Sequence, residues 1–310
     1  MECLYRRDYD ADRLLREHPL ELRDPNKLLV FELALSGERA AGTISVTRWN
    51  ASALPAKLGD TELIAMPGYY DYAGDDPGVW HVNFADPHLF FAYGSSLLAQ
   101  DELQCAEHPA LGSVREALVA EKLAALTEEN GIATPVLVAG VERRCTIATA
   151  PCADRPRGLY GNQFAHADAA TIRAAITVHH PAPRSNLIAI AAPVGGGAYS
   201  REQISYASSA AYTGFAAAVE ESARRWPGVP VEVRTGFWGC GAFGGNRELM
   251  TMLQLFAARS AGVARLRFYA FDDAGRADYE RGVRAMIDVG EPDLDAIVER
   301  GYVWGVSNGT

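Results

Sequence analysis

No stretch of the chain approaches 18 uninterrupted apolar residues, so no bilayer-spanning helix is expected. The stretch from Met1 to Pro25 is rich in Arg, Asp and Glu and shows no apolar leader-like run. Cysteine is scarce: the five residues Cys3, Cys105, Cys145, Cys152 and Cys240 are odd in number and far apart, which argues against a disulfide framework and suits a reducing compartment. The expected location is therefore cytoplasmic, unanchored to membrane. Basic charge is also short, with 29 Lys and Arg against 39 Asp and Glu and a net charge of −10. Such a chain has no general attraction for a nucleic-acid backbone, and no basic run offers a local one. Histidines with metal-ligand spacing are lacking, because the adjacent His179 and His180 cannot easily turn both rings to one ion. No metal and no cofactor are expected. Internal repeats and low-complexity tracts are absent.

What is present fits a soluble enzyme. A chain of 310 residues, 48% hydrophobic and 22% charged, can bury a sizeable core and is long for one compact domain. Residues 28 to 36 and 42 to 48 read as a β-hairpin, being apolar and β-branched around Gly37. Residues 54 to 79, rich in Pro, Gly, Asp and Tyr, read as a long loop before a strand at 81 to 85. Apolar residues recur at helical spacing from Ser113 to Asn130, with Gly131 as a C-cap, and a strand follows from Pro135 to Val141. The stretch from 150 to 185 is assigned a short helix near 168 to 178 and otherwise loop. Beyond it strands at 186–192, 230–235 and 265–271 alternate with helices at 200–226, 247–261 and 276–288, which implies an α/β sheet with helices on its faces. Ligands in such sheets sit at the carboxyl ends of strands.

Two segments stand out. Val82 to Leu103 opens on a strand and closes on the adjacent acids Asp101 and Glu102. On a helix these point about 100° apart, so one can reach a ligand hydroxyl while the other reaches the bond being broken. Taken alone, an Asp-Glu pair is far more often a solvated helix start. The second segment, T-G-F-W-G-C-G-A-F-G-G-N from Thr235 to Asn246, lies between a strand and a helix. Its glycines allow close backbone approach and can turn amides toward an anion, although a tight turn is an equally open reading. Gly195 to Gly197 is a weaker candidate for the same role.

The second segment closely resembles the T-G-N-W-G-C-G-A-F-G-G-D loop of poly(ADP-ribose) glycohydrolases, and the following R-E-L-M-T-M-L-Q-L-F-A-A-R-S-A and R-L-R-F-Y-A-F-D are similar to the helix and strand after it there. The first segment is similar to the family's V-D-F-A-N stretch, its G-G-G loop and its Q-E-E signature, whose three places are taken by Gln100, Asp101 and Glu102. A softer resemblance runs from Ile188 to Phe215. Together these cover most of residues 80 to 290. The resemblance implies a macrodomain-like mixed sheet flanked by helices as residues 81–310, with residues 1–80 as an N-terminal accessory extension packed on it.

By the same resemblance Glu102 is the catalytic acid/base and Asp101 its neighbour on a ribose hydroxyl. The implied substrate-binding set comprises Asn83, Asp86, Phe90, Phe91, Gln100, Phe237, Gly239, Cys240, Gly241, Ala242, Phe243, Gly244, Gly245 and Phe271. Phe243 and Phe271 match aromatic positions near the nucleotide, with core packing an equal alternative. This chain departs from the family in three ways. Phe90, Phe91 and Ala92 replace G-G-G and are expected to fill or wall the space for the phosphates. The tyrosine-rich stretch after Pro135 to Val141 is missing, and Asp101 is one methylene shorter than Glu. The implied activity is hydrolysis of a ribosyl C1″ N- or O-glycosidic bond, on a ribosylated or NAD-derived small molecule. The alternatives are an ADP-ribose glycohydrolase acting on modified macromolecules, or a macrodomain that binds ADP-ribose without cleaving it. The expected partner is thus a small ribosyl or ADP-ribosyl compound, not nucleic acid or membrane.

Overall fold

The computed structural model describes residues 1–74 and 76–309. In chain order its first elements are β1 (Cys3–Asp10), α1 (Ala11–Glu17), α2 (Pro25–Ala34), β2 (Thr43–Trp49), β3 (Glu62–Pro67) and β4 (Val79–Ala85). Next come α3 (Gln100–Glu107), α4 (Ala110–Ala120), β5 (Glu128–Glu129), β6 (Ile132–Ala133), β7 (Val136–Glu142), β8 (Cys145–Ile147), α5 (Ala169–Ala175) and β9 (Ile176–Val178). The remainder is β10 (Arg184–Ala191), α6 (Arg201–Arg225), β11 (Glu232–Gly236), α7 (Arg247–Ala261), β12 (Arg265–Phe271), α8 (Asp273–Val289) and α9 (Leu294–Glu299).

Eight strands form one mixed sheet in the order β1-β2-β7-β10-β4-β11-β12-β3. The run from β10 to β3 is parallel, and β1, β2 and β7 join it antiparallel. Residues 1–80, expected as an accessory extension, supply three of these strands. The α/β architecture with a mixed, helix-flanked sheet is as the sequence implied.

Alternation along the strands divides the core into two layers. Ile188 and Ile190 of β10 and Trp80 and Val82 of β4 pack with α6 and α7 on one face. Leu187 and Ala189 face the other layer, where α2, α3 and α4 bury Phe31, Leu103, Cys105 and Leu111. After β4 the chain turns to the α3 face; after its parallel neighbour β10 it turns to the α6 face. Adjacent parallel strands whose helices go to opposite faces leave a crevice at their carboxyl ends, the usual ligand position in such sheets.

Three expectations are corrected. Residues 25–34 are a helix, not half of a hairpin: Asp24 accepts from the Lys27 amide at 2.9 Å and Pro25 stands in the first turn, a start signal that outranks the apolar run. The helix expected to reach Asn130 ends at Ala120, and Asn130 and Gly131, at φ 53° and 78°, turn the β5–β6 hairpin. The loop expected over 54–79 contains β3, which pairs with β12 at the sheet edge. In addition, the short helix near 168 to 178 stops at Ala175, and its last residues form β9 against β8.

Candidate active site

A cavity of about 280 Å³ opens at the crevice between β4, β10 and β11. Its walls are the end of β4 (Phe84, Ala85, Asp86), the loop and first turn of α3 (Phe91, Ala92, Leu97, Ala99, Gln100, Asp101, Glu102), Tyr160, Ala192, and the glycine loop (Trp238, Gly239, Gly241, Ala242, Phe243). Two larger depressions, about 430 and 360 Å³, are more open surface grooves without a buried acid pair.

The first turn of α3 is fixed by Gln100. Its Oε1 accepts from the Phe84 amide at 2.7 Å, and its Nε2 donates to the Val82 carbonyl and the Tyr72 hydroxyl, each at 3.1 Å. Every polar atom of that amide has a protein partner, so Gln100 anchors α3 to β4 and has only its flank on the cavity. Asp101 is buried; its Oδ1 accepts from Asn83 Nδ2 at 2.9 Å. Asn83 also donates to Gln104 Oε1 at 2.8 Å, which places it behind Asp101 and away from the cavity wall. The Glu102 carboxylate, also buried, accepts from the Ala99 amide at 3.1 Å, the usual third position of a helix start reaching back to the cap.

Two adjacent acids out of water disfavour their charged forms. Burial, then the neighbouring Glu102, push the Asp101 carboxyl up, with the Asn83 bond opposing. Burial also pushes Glu102 up, and the Lys27 ammonium pulls it back. Tyr160 is driven to about 12 by burial and by Glu102. Neither Lys27 nor Tyr160 was singled out in the sequence. Tyr160 lies in the proline-broken stretch where periodicity gives no signal, and Lys27 sits on α2, beside residues whose apolar run reads as a strand.

The glycine loop lines the same space. Gly239 has φ 73°, and a Cβ there would lie 2.5 Å from that of Ala192, so only glycine fits. Among the described residues the amides of Gly239, Gly241, Ala242 and Phe243 donate no hydrogen bond, and all four residues line the cavity. Unpaired amides before a helix N-terminus are an anion-binding arrangement. The outer side of the loop is covered by residues 303–309: the Gly305 amide donates to the Gly244 carbonyl at 2.7 Å, Asn308 to Gly241 at 3.2 Å, and Trp304 stacks on Tyr199 with centroids 4.2 Å apart.

Several residues expected at the site lie elsewhere. Phe90, at φ 53°, turns wholly into the α2–α4 core, whereas Phe91 is exposed at the cavity rim with the Arg115 guanidinium 5.3 Å from its ring centroid. Phe237 packs edge-on to Phe268 under Arg247, and the Cys240 thiol is turned to the Trp238 carbonyl at 3.5 Å. Gly244 and Gly245 are covered by residues 305–307 and Tyr199. Phe271 stands edge-on to Tyr69 outside the cavity. Asp86 is on the wall, accepting from the His88 amide at 2.9 Å.

Fold and site together define an α/β domain with a ligand crevice holding a buried acid pair opposite a glycine-rich loop. Residues 159–278 match the sequence model of the family described as poly(ADP-ribose) glycohydrolase, macro domain fold. The matched stretch contains the glycine loop and ends before α9; Asp101 and Glu102 lie upstream of it. Among solved structures, poly(ADP-ribose) glycohydrolase from Thermomonospora curvata is 16% identical with a TM-score of 0.43, covering 90% of this chain and 85% of that one. The Deinococcus radiodurans enzyme in complex with ADP-ribose is 10% identical with a TM-score of 0.44, covering 91% and 95%. No curated protein sequence matches significantly.

Proposed function

We propose that the protein hydrolyses a ribosyl C1″ N- or O-glycosidic bond, with Glu102 as acid and then base. The observation that carries this reading is the convergence of the buried Asp101–Glu102 pair and the four unpaired glycine-loop amides on one cavity. The Glu102 carboxyl protonates the leaving atom while the C1″ bond breaks, its electron pair departing with that atom and positive charge developing on the sugar. Water then attacks C1″ and gives its proton to the Glu102 carboxylate, restoring the acid. A carboxyl raised by burial is the suitable donor for the first half. Asp101 orients a ribose hydroxyl, and the glycine-loop amides hold a phosphate or carboxylate.

The substrate is a ribosylated or NAD-derived small molecule. The cavity, about 280 Å³, lies just below the usual range of small-molecule sites, roughly 300 Å³ and upward. Phe91 narrows its rim. A second reading, cleavage of ADP-ribose conjugates, is favoured by one observation: Phe90 points into the core and does not line the cavity. The two are separated by kcat/KM for ribosyl, 5-phosphoribosyl and ADP-ribosyl versions of one leaving group. The small-molecule reading expects one of the first two to be preferred, with Phe91→Gly shifting preference toward the ADP-ribosyl compound. A wild-type preference for the ADP-ribosyl compound establishes the second reading instead.

A further inference from the structure

Lys27 is wholly buried. Its Nζ donates to the Leu97 carbonyl at 2.7 Å and to the Tyr93 carbonyl at 3.2 Å, and it lies 5.7 Å from the Phe164 ring centroid. An ammonium out of water is expensive unless a negative charge compensates it. No carboxylate touches it among the described residues, yet α2 packs on α3, which carries Asp101 and Glu102. The acids that bear on Lys27 are Glu102 and Asp101 on α3 and Asp24 at the start of its own helix, while the buried Cys105 thiol beside them stays neutral. α5, packed on its other side, offers one ionisable residue, Arg173, which is exposed. The two carbonyls that Lys27 holds belong to the loop leading into the Ala99 cap, and Leu97 and Ala99 both line the cavity.

We propose that Lys27 is a positioning residue of the active site, tying the 93–97 loop to α2 and placing an ammonium close enough to the first turn of α3 to act on the Glu102 carboxyl. This rests on the reading of Glu102 as acid/base, but its physical content is a charge coupling that exists whether or not the enzyme turns over. A cation at that place favours ionised Glu102 and keeps burial from holding the proton too tightly for it to be given up. Reciprocally, Glu102 sustains the charge on Lys27.

The test is the titration of the Glu102 side-chain carboxyl by 13C NMR in protein labelled at Glu, assigned by difference from Glu102→Gln. Lys27→Met should move that titration up by about one pH unit, the ordinary effect of losing a nearby opposite charge. In turnover, the alkaline limb of the pH–rate profile should move the same way, with kcat changed more than KM. An unmoved carboxyl titration overturns the proposal. A moved titration with turnover indifferent to Glu102 leaves the coupling standing and removes the glycosidase assignment. Should Lys27→Met not fold, Glu102→Gln supplies the reciprocal reading. Burial depresses Lys27 to about 8, so folding stability rises with pH from about 8 toward the ordinary lysine value. In Glu102→Gln that rise should begin at lower pH, and an unchanged onset equally overturns the proposal.

Discussion

Three consecutive side chains at the start of α3 divide the work of the site. Gln100 spends its amide on β4, Asp101 is held from behind by Asn83, and Glu102 is capped by the Ala99 amide. Because Asp101 is raised above its unfolded value, the folded state binds more protons than the unfolded one between the ordinary aspartate range, near about 3.9, and the raised value. Stability is therefore fully present below that window and falls as pH rises through it. Glu107, raised to about 7 chiefly by burial, slopes the curve the same way. Subtracting the urea-unfolding curve of Asp101→Asn from that of wild type should isolate a fall of stability with rising pH; a flat difference would show Asp101 to be unperturbed. The same three residues were legible in sequence as candidates because they fill a recognisable signature. Their division of labour was not, since it depends on Asn83, 18 positions away on β4 and facing α3. Lys27 was illegible for a related reason: a lysine in an apolar run carries no sign of burial until the helix that turns it inward is known.

At the scale of elements, the glycine loop owes its shape to one tight approach. Gly239→Ala must accept both a left-handed backbone and a collision with Ala192, whereas Gly262→Ala, at the same φ of 73° but with open space around it, meets the backbone strain alone. Strain of this kind costs about 1–3 kcal/mol per residue, so Gly239→Ala should lower the thermal midpoint more than Gly262→Ala. Equal shifts would mean that the Ala192 contact relaxes freely. The strongly periodic segments, α6, α7, α8 and the strands between them, were readable because caps agree with pattern: Ser200 with Gln203, Asn246, and Gly262 at the end of α7. The expectations that differ from the structure fall where a local signal competes with a longer pattern: Asp24-Pro25 starts a helix through the apolar run Leu28 to Phe31, and Asn130-Gly131 turns a hairpin where helical spacing points to a helix end. β3 has no such signal, being an edge strand set by its partner β12.

Taken whole, the molecule places the candidate site where β4 and β10 send their helices to opposite faces. Residues 1–80 complete the sheet there, and α2 buries Lys27 against α3, so the resemblance over residues 80 to 290 omitted part of the site's support. Among the described residues no group of three His, Cys, Asp or Glu side chains could hold a metal ion. A mechanism through a carboxyl and water predicts that activity survives dialysis against EDTA; loss on chelation with recovery on adding zinc or magnesium would contradict it. The central claim, that Glu102 transfers the proton, is tested most directly by Glu102→Gln on the best-hydrolysed ribosyl compound of the panel. Gln is nearly isosteric but cannot be protonated or take up a proton at neutral pH. The account predicts turnover lower by roughly 10² to 10⁴, with the affinity for ADP-ribose or ribose 5-phosphate, measured by calorimetry, changed little. Turnover close to that of wild type would contradict it.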